Sequence, residues 1–134
     1  MKAVSVSRAR PLPIGARITV TDNSGGRILR IIGVKNYKGV SRRLSAAGIA
    51  DIVIGVVEVG KPELRKTVVP AVIVRTAKEF RRADGTRIKF QDNACVILKE
   101  LDEFTTKGTM VKGPIAKEAV KRFASIGKIA SVVV

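Results

Sequence analysis

The chain has no histidine, no tryptophan, one cysteine and one tyrosine in 134 residues. Without histidine it lacks the side chain most often recruited for proton transfer near neutral pH. A single thiol, Cys95, cannot close an intramolecular disulfide, which excludes a secreted disulfide scaffold. One Cys and no His cannot supply a zinc site, so no metal or cofactor is expected. Wholly apolar runs are only a few residues long, so no segment is expected to span a membrane. The N-terminus lacks the long apolar stretch of a secretory signal, and a cytoplasmic protein is expected. Carboxylates are also scarce: eleven Asp and Glu stand against twenty-six Lys and Arg, a net charge of +15.

That charge repels itself and weakens the compact state. A polyanion removes the cost by neutralising cations and releasing counterions, so a phosphate backbone is the expected partner. Apolar residues make up 46% of the chain, enough for a core, and Val and Ile outnumber Leu. Branching at Cβ favours strands, so a mainly β fold in one domain, residues 1–134, is expected.

Residues 1–13 hold Arg8, Arg10, Pro11 and Pro13 with no acid, and read as an extended basic lead outside any ladder. Ile18–Thr21 alternates as a strand, and Asp22-Asn23-Ser24-Gly25-Gly26 is a turn. Arg27–Val34 is the next strand. Residues 35–48 break the pattern with Lys35, Lys38, Arg42 and Arg43, and read as a basic loop or a projecting ribbon. Asp51–Val59 is a strand buried on both sides or set in a barrel wall. Thr67–Thr76 is another, where Pro70 argues for an edge or a bulge. Lys78–Phe90 reads as a hairpin with Gly85 in the left-handed conformation. A three-residue loop there sets Phe80 opposite Ile88, Glu79 opposite Lys89, and Arg81 opposite Arg87. A two-residue turn would oppose Arg82 and Arg87 instead. Either way two guanidinium groups meet across the ladder, which destabilises it unless an anion sits between them. Cys95–Leu98 is a further strand, with Cys95 a small buried hydrophobe. Pro114 suits a first helical position, and Ala116, Ala119, Val120 and Phe123 recur at helical spacing as a core-facing stripe.

Gly55 to Lys61 carries most of a phosphate-cradling loop, but Pro62 stands where the magnesium-binding hydroxyl belongs, and the Val-rich interior reads as strand. No nucleophile elbow occurs. Asp22 and Asp84 have turn roles, and Glu100-Leu101-Asp102-Glu103 reads as a solvated face. An enzyme is therefore not expected. Aromatic content of 4% is thin for stacking single-stranded bases. Only one short, late helix is available, which argues against a major-groove reader of DNA. Shape and phosphate recognition of folded RNA remains. Between Asn23 and Ala50 there are six basic residues and no acid.

The run Ala71-Val72-Ile73-Val74, then nine residues, Asp84-Gly85, four residues, Phe90, two residues, Asn93, two residues and Val96-Ile97 closely resembles a family signature, that of the universal large-subunit ribosomal protein fourteen. Thr21–Gly26, Arg75–Asn93 and Gly113–Glu118 resemble further blocks of the family in the same order. The lead and the ending resemble archaeal or eukaryotic members more than bacterial ones. The resemblance implies a closed five-stranded β-barrel, a projecting β-ribbon and short C-terminal helices. It also implies a structural role in the large ribosomal subunit: binding large-subunit rRNA, touching neighbouring large-subunit proteins, and meeting small-subunit rRNA at intersubunit bridges. A factor that keeps subunits apart is a further implied partner; membrane and DNA are not. With the charge pattern, it nominates Arg8, Arg10, Arg17, Arg27, Lys35, Lys38, Arg42, Arg43, Arg65, Lys66, Arg81, Arg82, Arg87 and Lys89 for rRNA. Lys107, Gly108, Thr109, Lys112, Lys117, Lys121 and Arg122, in the C-terminal region 107–134, would face the other subunit or the factor. A free DNA-packaging protein and a carboxylate- or lysine-based enzyme are the rival readings.

Overall fold

A computed structural model describes residues 9–134; Arg8 and the first part of the basic lead lie outside the described residues. In chain order the strands and helices are β1 (Leu12–Pro13), β2 (Arg17–Val20), β3 (Gly26–Val34), β4 (Ala46–Ala47), β5 (Ile52–Gly60), β6 (Val68–Arg75), β7 (Phe80–Arg81), β8 (Arg87–Ile88), β9 (Ala94–Ile97), β10 (Val111–Ile115), α1 (Lys117–Arg122), α2 (Ala124–Ile129) and β11 (Ala130–Val133). Strands β2, β3, β5, β6 and β9 close into a five-stranded barrel. All its pairings are antiparallel except the seam where β2 meets β9 in parallel.

Alternation along each strand decides what it faces. Ile18, Leu29, Ile31, Val53, Val57, Ile73, Cys95 and Ile97 fill the barrel interior. On β6 and β9 the opposite face is apolar too: Val72, Val74, Ala94 and Val96 pack under Val111, Ile115, Ala119, Phe123 and Ile126 of the C-terminal region. That second cluster explains the unbroken Val/Ile runs, since those strands have no wet face. Each Val or Ile so buried contributes about 1.5–3 kcal/mol.

Asp22 makes the parallel seam possible. Its Oδ2 accepts from the Ile97 N–H at 3.0 Å, and its Oδ1 from the Ser24 hydroxyl at 2.5 Å. A side chain thus finishes a ladder where the β2 backbone has already turned away. Inside the barrel Cys95 is fully buried. Burial, with the Asp22 charge as a smaller cause, pushes its thiol far above the ordinary range. Cys95 should therefore resist alkylation in the native protein and react only after unfolding. Rapid labelling by a disulfide reagent under native conditions would contradict this.

The hairpin takes the three-residue register. Phe80 pairs with Ile88 and Arg81 with Arg87, and the Arg82 N–H bonds the Thr86 carbonyl at 2.8 Å. The backbone N–H of Thr86, then its hydroxyl, hold the Asp84 carboxyl below its ordinary value. Glu79 reaches Arg87 at 3.0 Å, so a carboxylate already stands beside one of the two opposed arginines. Phe80 and Phe90 root this separate ribbon in the barrel core. Gly85 has φ +91 with nothing near its missing Cβ, so only backbone strain opposes a side chain. Gly85→Val should cost about 1–2 kcal/mol, confined to the ribbon. Amide exchange that stays slow at Arg82 and Gly85 would refute that.

Four details depart from the sequence reading. Pro70 lies in a closed barrel and not at an edge. Its carbonyl accepts from the Leu98 N–H at 2.9 Å, just past the end of β9, so its missing donor falls where that ladder has stopped. Pro13 does join a ladder, opposite Ala46. The neighbouring Ile14 N–H bonds the Ser45 carbonyl at 3.0 Å, which leaves Pro13 at a position that donates nothing across the pair. Pro114 sits in β10, opposite Val132, and not at a helix start. The helical stripe is buried as expected, but Phe123, at φ −127 and ψ 96, splits it into α1 and α2. Residues 35–45 form a loop, so the ribbon is the β7–β8 hairpin.

Candidate nucleic-acid interface

Most carboxylates in this fold are spent on structure; Glu63, Glu100 and Glu103 stand exposed. Glu58 sits against Arg17 at 2.7 Å and Arg30 at 3.3 Å, two residues directly opposed across β2 and β3. Asp92 holds Arg75, Glu118 holds Arg82, Asp51 holds Arg122, Glu79 holds Arg87 and Asp102 holds Lys35. Asp22 and Asp84 accept within their own turns. Of the residues nominated for rRNA, Arg27, Lys38, Arg42, Arg43, Arg65, Lys66, Arg81 and Lys89 are exposed, with no carboxylate in salt-bridge range among the described residues.

These cations occupy four kinds of place, with Arg27 alone at the start of β3. Lys38, Arg42 and Arg43 stand on the loop after β3, where Arg10 lies over the Tyr37 ring at 5.5 Å. Arg65 and Lys66 stand on the turn joining β5 to β6. Its form is fixed by the Lys66 N–H bonding the Val57 carbonyl at 2.8 Å. Arg81 and Lys89 project from the ribbon. The remaining nominated residues have partners within the protein. Arg17 is half of the Glu58 bridge, and Lys35 bonds the Leu101 carbonyl and Asp102 at 3.2 Å each. Arg87 meets Glu79. Arg82 is committed furthest: it forks onto Glu118 at 2.7 and 3.3 Å and reaches the Val134 carbonyl at 2.6 Å. It ties the ribbon to α1.

The loop 107–110 before β10 is fastened to the barrel end. Asn23 Oδ1 accepts from the Thr109 N–H at 2.7 Å, and Asn23 Nδ2 donates to the Thr109 hydroxyl at 2.8 Å. Gly108 is buried against Asp22 and Asn23 and presents no side chain. Lys107, Thr109, Met110 and Lys112 are exposed around it, as are Lys117 and Lys121 on α1. Arg122 turns back to the barrel, donating to the Ala50 carbonyl at 3.0 Å.

Arg75 is the residue that sequence reasoning missed. It is buried at 7% exposure and holds Asp92 through two contacts, Nε at 2.9 Å and Nη2 at 3.1 Å. Its Nη1 donates to the carbonyls of Lys112 and Pro114 at 3.0 and 3.1 Å. Nothing near Arg75 in the sequence signals this, because its partners lie 17, 37 and 39 residues away.

The model of the family described as ribosomal protein L14p/L23e matches residues 12–134. The chain belongs to this family. Curated relatives agree over full length. The "Large ribosomal subunit protein uL14" of Nanoarchaeum equitans is 52% identical over 134 residues, covering 100% of both chains. That of Methanococcus vannielii is 47% identical over 99% of each chain. The archaeal resemblance, the mainly β fold with its five-stranded barrel and the expectation of a ribosomal protein rather than an enzyme all stand. Among the described residues no three His, Cys, Asp or Glu gather as a metal site would need. The Arg75 clamp and the Asn23 tether lie within the stretch that the L14p/L23e model matches.

Proposed function

We propose that this chain is a structural constituent of the large subunit in cytoplasmic ribosomes, binding large-subunit rRNA through backbone and shape contacts. The observation that carries the reading is the separation of charge roles. Most carboxylates brace the protein internally, while cations on the loop after β3, the β5–β6 turn and the ribbon have no carboxylate partner among the described residues. An RNA backbone supplies the missing anions without base-specific side chains. That the RNA is large-subunit rRNA is supported by the relatives, which are named as large-subunit proteins.

The exposed loop 107–110, with the start of β10 and α1, is the surface for the small subunit or for a factor that keeps the subunits apart. It is basic, held rigidly by Asn23 and Arg75, and distinct from the loop after β3. The barrel and the C-terminal region act as one domain, because the second apolar cluster spans both.

The test is sedimentation of the tagged protein from cell extract. It should travel with large subunits at salt high enough to strip loosely held cations. Recovery free of subunits, or equal retention on duplex DNA, would overturn the reading. Lys107→Glu with Thr109→Glu should leave that co-sedimentation intact yet impair joining to small subunits. Normal joining would remove this loop from the bridge.

A further inference from the structure

At one end of the barrel the turn after β2, the end of β5 and the start of β10 line a cleft of about 460 Å³. Arg27, Lys61 and Lys112 line it, all exposed and none with a carboxylate in range among the described residues. The other polar side chains on its walls are occupied. The two Asp22 oxygens accept from Ser24 and Ile97, the Thr21 hydroxyl donates to the Cys95 carbonyl at 3.3 Å, and Asn23 holds Thr109. What remains to meet a ligand is three cations over a floor of Val20 and Val59.

Two of the three are held by backbone bonds. The Lys61 N–H donates to the Gly25 carbonyl at 3.0 Å, and the Lys112 N–H to the Thr21 carbonyl at 2.9 Å. The Lys61 stem also lies across Gly25, where a Cβ would come within 2.7 Å of its Cδ. The sites are thus preorganised, with only the side-chain ends left to adjust.

We infer that this cleft is a phosphate seat, binding one phosphate of a nucleic-acid backbone between Arg27, Lys61 and Lys112. A guanidinium fork and two ammonium point charges lining one cleft suit a tetrahedral anion with several acceptor oxygens. The cleft is large enough for the phosphate with its flanking sugars. Lys112 stands at the start of β10, directly after the loop 107–110, so an occupied seat adds a bond between that region and the RNA-bound barrel. The inference rests on the rRNA-binding reading for its occupant, but not for the anion chemistry.

Two measurements separate these parts. Titration of the free full-length protein with inorganic phosphate, against chloride at equal ionic strength, should shift the amide resonances of Gly25, Gly26 and Lys61. Lys61→Gln and Lys112→Gln should abolish the shift while leaving the melting temperature unchanged. Absent or chloride-matched shifts would overturn the seat. Binding to folded large-subunit rRNA is then followed against salt. Each variant should make the log–log slope shallower by about one, whereas the exposed control Lys99→Gln should not. Seat variants with the wild-type slope would show that the seat takes free phosphate and not the RNA backbone. Failure of the wild type to bind rRNA would sink the functional reading and leave the phosphate titration to decide the seat.

Discussion

Raising salt from about 50 to about 200 mM should weaken binding of this chain to large-subunit rRNA roughly 10³–10⁵-fold, the response of a protein that neutralises about six to ten phosphates. The expectation follows from the charge accounting in the fold. Arg27, Lys38, Arg42, Arg43, Arg65, Lys66, Arg81 and Lys89 are exposed and have no carboxylate in range among the described residues. Each that meets a phosphate releases counterions, giving a log–log slope of about −0.7 to −0.9 per contact. The paired cations contribute less, since Glu58 already answers Arg17 and Arg30, and Glu118 answers Arg82. Replacing Arg42 and Arg43 together by Gln should therefore flatten the slope by about two, while replacing Arg17 and Arg82 should not. Filter-binding or fluorescence titrations across the salt series measure this directly. A slope near zero would mean that the exposed cations do not engage RNA.

Arg75→Met should destabilise the free protein by about 2–4 kcal/mol and lower its melting temperature on the order of 10 °C. Asp92 is 44% exposed on its side chain and regains water, so the lost ion pair itself contributes little of this. The larger part comes from the Lys112 and Pro114 carbonyls, which lose a charged donor, and from the packing that Arg75 enforces between barrel and C-terminal region. Gly113→Val attacks the same contact from the other side. Gly113 has φ +81, and a Cβ there would run into the Arg75 guanidinium. Its cost should be similar, and the double variant should lose much less than the sum, because both remove one interaction. Hydrogen exchange at Lys112 and Ala116, whose amides bond the Thr21 and Val74 carbonyls, should accelerate in each. Unchanged melting and unchanged protection at those amides would show that Arg75 is dispensable.

Local features were legible in the sequence where local physics decides. Alternation and β-branched runs marked the five barrel strands within a residue or so, and of the two hairpin registers the turn allowed, the fold takes the one that opposes Arg81 and Arg87. Alternation does not say which strand pairs with which. The β2–β9 seam joins Asp22 to Ile97, 75 residues apart, and barrel closure was expected only through the family resemblance. Proline rules misled at Pro13, Pro70 and Pro114 because each sits where its ladder needs no donor, a fact fixed by the partner strand. The break at Phe123 and the parallel pairing of β10 with β11 answer to packing against β6 and β9, which no helical period encodes. For the interface, composition separated neither Arg82 from Arg81 nor Arg122 from Lys121. Only the fold places Glu118 and Asp51 beside one member of each pair.

The seam between β2 and β9 also bears on how the polypeptide emerges from synthesis. Four of the five staves, β2, β3, β5 and β6, exist before the last is made, and until then they form an open sheet with two bare edges. Bare edges of Val-rich sheet invite pairing with other chains. The nascent protein is thus most vulnerable during the interval in which residues 76–93 are translated, and arrival of β9 ends that exposure on both sides at once.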